Sequence, residues 1–189
     1  MKITSAKWLL CFLPILLAGC ASMSPSECAT ADWRQRGEQD GRQGEEDRSA
    51  SYHEACSKAG IRVDVATYRA GRTLGLQSYC RLGNAITEGL AGKPYDGVCP
   101  QPTDQSFRSI HAIAFRVQEA TQNVSRLRNE QDRLQAELTS DKTANDRKVT
   151  LRDLLNRSDR QLRDARNAQF AAEQQFNAMS EDMRRRGIQ

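Results

Sequence analysis

WRQRGEQDGRQG at residues 33–44 and DVATYRAGRTLGLQSYC at residues 64–80 share one pattern of spaced glycines. Each segment places two glycines four residues apart: Gly37 and Gly41 in the first, Gly71 and Gly75 in the second. Residues at this spacing lie on one face of a helix. Because glycine costs a helix interior about 1 kcal/mol relative to alanine, such a face needs a structural reason. The pattern predicts helices whose glycine faces pack closely against another backbone or an aromatic ring.

Large aromatic side chains are available to pack in the same region: Trp33, Tyr52, Tyr68, Tyr79 and Tyr95. We interpret them as the core of a small helical domain in preference to a ligand cage. Asp64 is a candidate N-cap for the second glycine helix. We expect helices near residues 31–47, 64–80 and 84–92.

The composition of the chain changes near residue 104. Ten of the twelve glycines lie between Gly37 and Gly97, and from Asp104 there is no Pro, Gly or Cys until Gly187. Such a shift, with Pro100 and Pro102 just before it, is typical of a domain boundary. We therefore expect a glycine- and cysteine-rich helical domain over residues 31–103 and a second domain over residues 104–189.

The second domain carries two helical seams of apolar residues. Positions spaced alternately by three and four residues run from Ile110 to Leu138 and from Leu151 to Met183, separated by the polar stretch 139–146. This pattern is typical of a coiled coil. We expect a long antiparallel helical hairpin, so the predicted fold class is mainly α; a parallel dimer is the alternative.

The hairpin has a predicted register in which paired residue numbers add to 289. The apolar pairs include Val124 with Ala165 and Leu127 with Leu162. The same register places Gln131 opposite Ser158, and Arg128 beside Asp159.

The first twenty residues have the features of an export signal. Lys2 and Lys7 precede an apolar run of 11 residues, Trp8 to Ala18, which is shorter than the roughly 20 residues that span a bilayer. The run ends in Leu17-Ala18-Gly19-Cys20, which resembles the lipobox of bacterial lipoproteins. The alternative is an ordinary cleaved signal peptide.

The lipoprotein resemblance implies a membrane anchor. Residues 1–19 would be removed as a signal peptide, and Cys20 would become a diacylglyceryl cysteine carrying fatty acyl chains such as palmitate. Residues 20–30 would be a tether. Since Ala21-Ser22 follows the cysteine where an aspartate would retain the protein in the inner membrane, the resemblance implies the outer membrane, facing the periplasm.

Four cysteines remain for the folded part: Cys28, Cys56, Cys80 and Cys99. An even number in an exported protein predicts two disulfides. A zinc site is the weaker alternative because no Cys-x-x-Cys pair is present, and we assign no metal. If the three predicted helices run up, down and up, the pairs at common ends are Cys28–Cys80 and Cys56–Cys99.

The motifs of residues 33–99 resemble a known family. They are Trp33-x3-Gly37-x2-Asp40-Gly41-x2-Gly44, His53-x2-Cys56-x3-Gly60, Tyr68-x2-Gly71-Arg72-x2-Gly75-Leu76-x2-Tyr79-Cys80, and Gly89-x2-Gly92-Lys93-Pro94-Tyr95-Asp96-Gly97-Val98-Cys99. This set is similar to a bacterial lipoprotein family catalogued as domain of unknown function twenty-seven ninety-nine. The likeness covers about residues 20–100. It implies a periplasm-facing lipoprotein and brings no known activity, cofactor or catalytic residue.

Charge and hydrophobicity exclude several classes of function. Only 38% of the residues are hydrophobic, which argues against a large enzyme domain with a thick core and against a polytopic membrane protein. Residues 20–103 carry 10 basic and 11 acidic side chains, and residues 104–189 carry 16 and 13. Neither part has a strong charge of one sign, so we expect no nucleic-acid partner.

Two functional hypotheses remain. The first is a structural or interaction protein held at the membrane by Cys20, with a partner protein bound along the coiled coil. The second is an envelope hydrolase or ligand-binding protein, for which the candidate groups are Asp40, His53, Glu54, Asp64 and Asp96. Acidic residues at helix starts are usually caps, and Arg72 is expected to pair with Asp40 in preference to an external anion. We therefore favour a non-enzymatic protein without a cofactor.

Overall fold

The computed structural model describes residues 23–188, and this part of the chain is helical with no strand. The predicted mainly α fold is confirmed. The predicted signal peptide and the lipidated Cys20 lie outside the described residues. The helices are α1 (Pro25–Thr30), α2 (Trp33–Gln43), α3 (Ser49–Ser57), α4 (Val65–Tyr79), α5 (Leu82–Leu90), α6 (Thr103–Thr139) and α7 (Asn145–Arg185).

The described residues form two compact units. The first contains residues 23–31 and Ser49–Val63, and therefore α1 and α3. Its α1 begins with a capping box in which Ser24 and Glu27 satisfy each other's backbone N–H groups. A disulfide joins Cys28 of α1 to Cys56 of α3, with their Cα atoms 5.5 Å apart.

The second unit contains Asp32–Arg48 and the chain from Asp64 onward. Its α2 and α4 meet through the four spaced glycines. A Cβ atom added at Gly37 would lie 2.8 Å from the carbonyl carbon of Tyr68, and one added at Gly41 would lie 2.9 Å from the backbone nitrogen of Leu76. The contact moves toward the C-terminus along both helices together. The two helices are therefore parallel.

This parallel arrangement makes the predicted up, down and up order of the helices wrong. The end of α4 lies beside the end of α2 and not beside its start. The predicted disulfides Cys28–Cys80 and Cys56–Cys99 are wrong for the same reason, and because Cys56 lies on a helix, α3, that the three predicted helices do not include. The observed pairs are Cys28–Cys56 and Cys80–Cys99.

One hydrophobic core of the second unit crosses the change in composition at residue 104. It contains Leu76 and Tyr79 from α4, Ala85 from α5, Phe107 from α6 and Met183 from α7. The Cys80–Cys99 disulfide lies in this core, with a Cα–Cα distance of 5.6 Å. The expected boundary between residues 103 and 104 therefore does not divide the packing.

The helices α6 and α7 form an antiparallel hairpin. Val124, Leu127, Leu162 and Ala165 make one buried cluster, as a register that sums to 289 requires. At the turn, the Arg147 guanidinium lies 2.7 Å from the Glu137 carboxylate.

The polar pairing inside the hairpin differs from expectation. Gln131 donates to Asp159, the residue that the predicted register places beside Arg128. The Ser158 hydroxyl is buried without a hydrogen-bond partner among the described residues. The Gln131 amide therefore reaches one residue past Ser158, to a carboxylate at the edge of the seam.

Across residues 23–188, no helix combines the length and the apolar character needed to cross a membrane.

Candidate functional site

Two of the candidate catalytic carboxylates have structural partners. Asp40 is buried and accepts a hydrogen bond of 2.8 Å from the Tyr68 hydroxyl. Asp64 caps α4 by accepting from the backbone nitrogen of Thr67 at 3.0 Å and from its hydroxyl at 2.7 Å. These two bonds lower the pKa of Asp64 because they favour the charged carboxylate. Asp40 therefore links α2 to α4, and Asp64 starts α4.

The remaining candidates do not form an acid–base site either. Arg72 donates to the Glu45 carbonyl, with Nη2 at 2.6 Å, and not to Asp40. His53, Glu54 and Asp96 are exposed. Within residues 23–188, no three His, Cys, Asp or Glu side chains come close enough together to hold a metal ion.

A different cluster of polar and aromatic side chains lies where α5, the following loop and the start of α6 meet. We call it the Tyr95 cluster; its members are Glu88, Lys93, Tyr95, Asp104, Arg108 and His111. The Cys80–Cys99 disulfide ties down the end of the loop that carries Lys93 and Tyr95. Gly89, in the last turn of α5, permits α5 to approach α6 closely, because a Cβ there would lie 2.7 Å from the His111 carbonyl oxygen.

Tyr95 is the centre of the Tyr95 cluster. Its hydroxyl donates to Asp104 at 2.5 Å and accepts from the backbone nitrogen of Cys99 at 3.0 Å. The Arg108 guanidinium lies 5.2 Å from the centre of the Tyr95 ring and 3.3 Å from Asp104. The Tyr95 side chain therefore contacts the disulfide loop, an acidic residue of α6 and a basic residue of α6.

The pKa values of Tyr95 and Asp104 are shifted by burial and by hydrogen bonding. The Tyr95 hydroxyl, with a smaller contribution from Arg108, lowers the pKa of Asp104, because both favour the carboxylate. Burial, and then the bond to the Asp104 carboxylate, raise the pKa of Tyr95 to about 12. At neutral pH the phenol is protonated and the carboxylate is charged, so the hydrogen bond is charge-assisted.

His111 completes the cluster as a buried ring that is 5% exposed. Its Nε2 lies 2.8 Å from the Lys93 carbonyl oxygen. A carbonyl only accepts, so Nε2 carries the hydrogen, and in the neutral ring Nδ1 is an acceptor. The ring stacks on Phe115, with centroids 5.6 Å apart. The Lys93 side chain is held in turn by Glu88 at 3.1 Å.

A surface groove of about 400 Å³ opens beside the Tyr95 cluster. We call it the Tyr95 groove. It is lined by Pro94, Tyr95, Arg108, His111, Ala112, Phe115, Arg116 and Glu119. Apolar and aromatic groups surround it, with two guanidinium groups and one carboxylate among them. This arrangement suits binding of a small ligand that has both apolar and charged parts.

The sequence predicts Tyr95 as a core aromatic and not as part of a site, and it does not indicate the partners of Tyr95 on α6. Asp104, Arg108 and His111 fall at intervals of four and three residues, which places them along one side of a helix. That spacing was the available signal. The spacing alone does not show that the start of α6 packs against the loop that carries Tyr95, because the change in composition at residue 104 predicts two separate domains.

The fold and the cluster define a class of protein: a helical, disulfide-containing domain built on two parallel helices that touch through glycines. Residues 32–115 match the model of the family described as Protein of unknown function (DUF2799). This confirms the resemblance seen in the motifs and extends it beyond residue 100 to Asp104, Arg108 and His111. No curated protein and no solved structure matches the chain.

Proposed function

We propose that the protein is a lipid-anchored cell-envelope protein that works as a protein-interaction module in the periplasm. The sequence Leu17-Ala18-Gly19-Cys20 supports the anchor. The observation that carries the proposal is the pairing of all four later cysteines in two disulfides. Disulfides persist in oxidising compartments such as the periplasm. Cys20 is not a member of either bond, because the two disulfides use the four later cysteines.

The shape of the hairpin supports an interaction role. With 37 and 41 residues, α6 and α7 are about 55–60 Å long at 1.5 Å per residue. The buried cluster of Val124, Leu127, Leu162 and Ala165 is drawn from these two helices alone. Within the second unit, the middle of the hairpin is therefore a two-helix arm.

Two large apolar side chains of α7 are exposed, Val149 and Phe170. Phe170 of α7 is 63% exposed, and Arg163 and Arg166, seven and four residues before it, are exposed as well. Those intervals place both arginines on the side of α7 that carries Phe170. Aromatic residues and arginines are the groups that most often dominate binding energy in protein interfaces.

Site-specific photo-crosslinking in cells tests the interaction role. A photoreactive phenylalanine analogue replaces Phe170 in one strain and Val149, which is 57% exposed, in another. We expect one envelope protein to be crosslinked from both positions, and we expect Arg163→Glu to reduce its yield. Arg160→Glu is the matched control on the same helix. Adducts with no protein in common, or no adducts, would contradict the interaction role.

A further inference from the structure

We propose that the Tyr95 groove binds the C-terminus of a partner peptide, with the carboxylate on Arg116 and an apolar last side chain against Ala112 and Phe115. This site lies outside the arm, and the inference holds whether or not Cys20 carries lipid.

The groove has room for one side chain. The volume of the whole groove, about 400 Å³, is at the lower end of the 300–1,000 Å³ or so of ligand sites. Phe115 provides an aromatic surface, and the stack with His111 fixes its ring at 5.6 Å between centroids. Because His111 is itself held by Lys93, the apolar wall is formed before a ligand arrives.

Arg116 stands beside the smallest side chain of the groove. Arg108, Ala112 and Arg116 follow one another at four-residue intervals on α6, which is about 6 Å per step along the axis. The small side chain of Ala112 leaves room for a carboxylate next to Arg116, and arginine binds carboxylates through paired N–H donors.

The two arginines differ in how they are held. Arg108 is positioned by Asp104 at 3.3 Å and by the Tyr95 ring. Arg116 makes one long bond of 3.3 Å from Nε to the Ala112 carbonyl, and it forms no ion pair with an acid in residues 23–188. The terminal nitrogens of Arg116 are therefore the donors open to a ligand.

Glu119 favours a peptide end over a phosphate. It lines the same groove and repels a second negative charge, as a phosphate dianion carries. A C-terminal residue fits the groove because it has one carboxylate for the Arg116 guanidinium and a side chain for the apolar wall.

Calorimetric titration with two matched peptides tests the site. The protein is the chain from residue 20 to 189 with Cys20→Ser, which keeps every described residue and both disulfides. The probes are acetyl-glycyl-alanyl-phenylalanine as the free acid and as the C-terminal amide. We expect the free acid to bind at least about tenfold more tightly, because the amide lacks the charge that strengthens bonds to arginine.

Substitutions assign that difference to the groove. Arg116→Gln should weaken the free acid by about tenfold and leave the amide unchanged, whereas Phe115→Ala should weaken both peptides. Arg160→Gln, an exposed arginine on α7, should change neither. Disulfide mapping and circular dichroism check that each variant is folded.

Three results overturn the inference. The first is equal binding of the free acid and the amide, and the second is a free acid that binds Arg116→Gln as tightly as it binds the wild type. The third is no binding of either peptide at millimolar concentration. Inorganic phosphate that binds through Arg116 more tightly than the free acid would also overturn it, because Glu119 is expected to exclude it. Failure of these tests leaves the proposed arm and anchor standing, since neither uses the groove.

Discussion

Replacing Gly71 with alanine is the sharpest perturbation of the contact between α2 and α4. The added Cβ would lie 2.8 Å from the carbonyl carbon of Arg34 and 3.0 Å from the backbone nitrogen of Glu38. Both atoms belong to a helix backbone, which cannot rotate away as a side chain does. The two helices must separate, and the contacts at Gly37, Gly41 and Gly75 loosen with them.

Two opposing effects determine how much Gly71→Ala changes the free energy of unfolding. Alanine favours a helix interior over glycine by about 1 kcal/mol, whereas forcing an extra carbon into a packed core costs typically about 1–3 kcal/mol and sometimes more. The upper end applies at Gly71 because backbone meets backbone. We expect a net loss of about 1–2 kcal/mol in the free energy of unfolding.

Urea unfolding followed by circular dichroism, with the disulfides intact, measures this loss. With a slope of about 2 kcal/mol per molar urea, the midpoint should fall by about 0.5–1 M. Thr73→Ala, at an exposed position of α4, is the control, and its midpoint should stay the same or rise slightly. A Gly71→Ala protein with an unchanged or higher midpoint would refute the close contact of α2 with α4.

Three further predictions follow from the disulfides, the hairpin and the Tyr95 cluster. Non-reducing peptide mapping should find Cys28–Cys56 and Cys80–Cys99; a Cys28–Cys80 peptide would contradict the fold. Cysteines introduced by Val124→Cys and Ala165→Cys should crosslink within one chain, and links only between chains would reveal a dimer. Because the pKa of Asp104 is lowered in the folded protein, its stabilising effect is present above about pH 4 and is lost as the pH falls through the folded pKa. Asp104→Asn should therefore flatten the decline of the urea midpoint between neutral and acid pH, and a decline as steep as that of the wild type would be inconsistent with the Tyr95–Asp104 bond.

The helical fold and the glycine contact were accessible from the sequence because they depend on local spacing. Four-residue intervals fix which residues share a helix face, and Gly37, Gly41, Gly71 and Gly75 do meet. The same spacing does not tell whether two helices run parallel or antiparallel. That direction depends on the connecting segment, and here the connection includes α3, whose short sequence Ser49–Ser57 has no strong apolar periodicity.

The Tyr95 groove was not predictable as a site because its parts come from two segments that the composition separates. Pro94 and Tyr95 precede the change at residue 104, and the other lining residues follow it. Only the folded chain shows that the Cys80–Cys99 loop lies against α6. The individual residues gave a partial signal, since Asp104, Arg108 and His111 share one side of a helix.

Intact-mass analysis of the protein isolated from bacterial membranes is the decisive measurement for the lipid anchor. The wild-type chain should begin at Cys20, carry the mass of a diacylglyceryl group with fatty acyl chains, and partition with membranes. Cys20→Ser should lose both the acyl mass and the membrane partitioning. A wild-type protein that begins elsewhere, or begins at Cys20 without acyl mass, would contradict the lipid anchor.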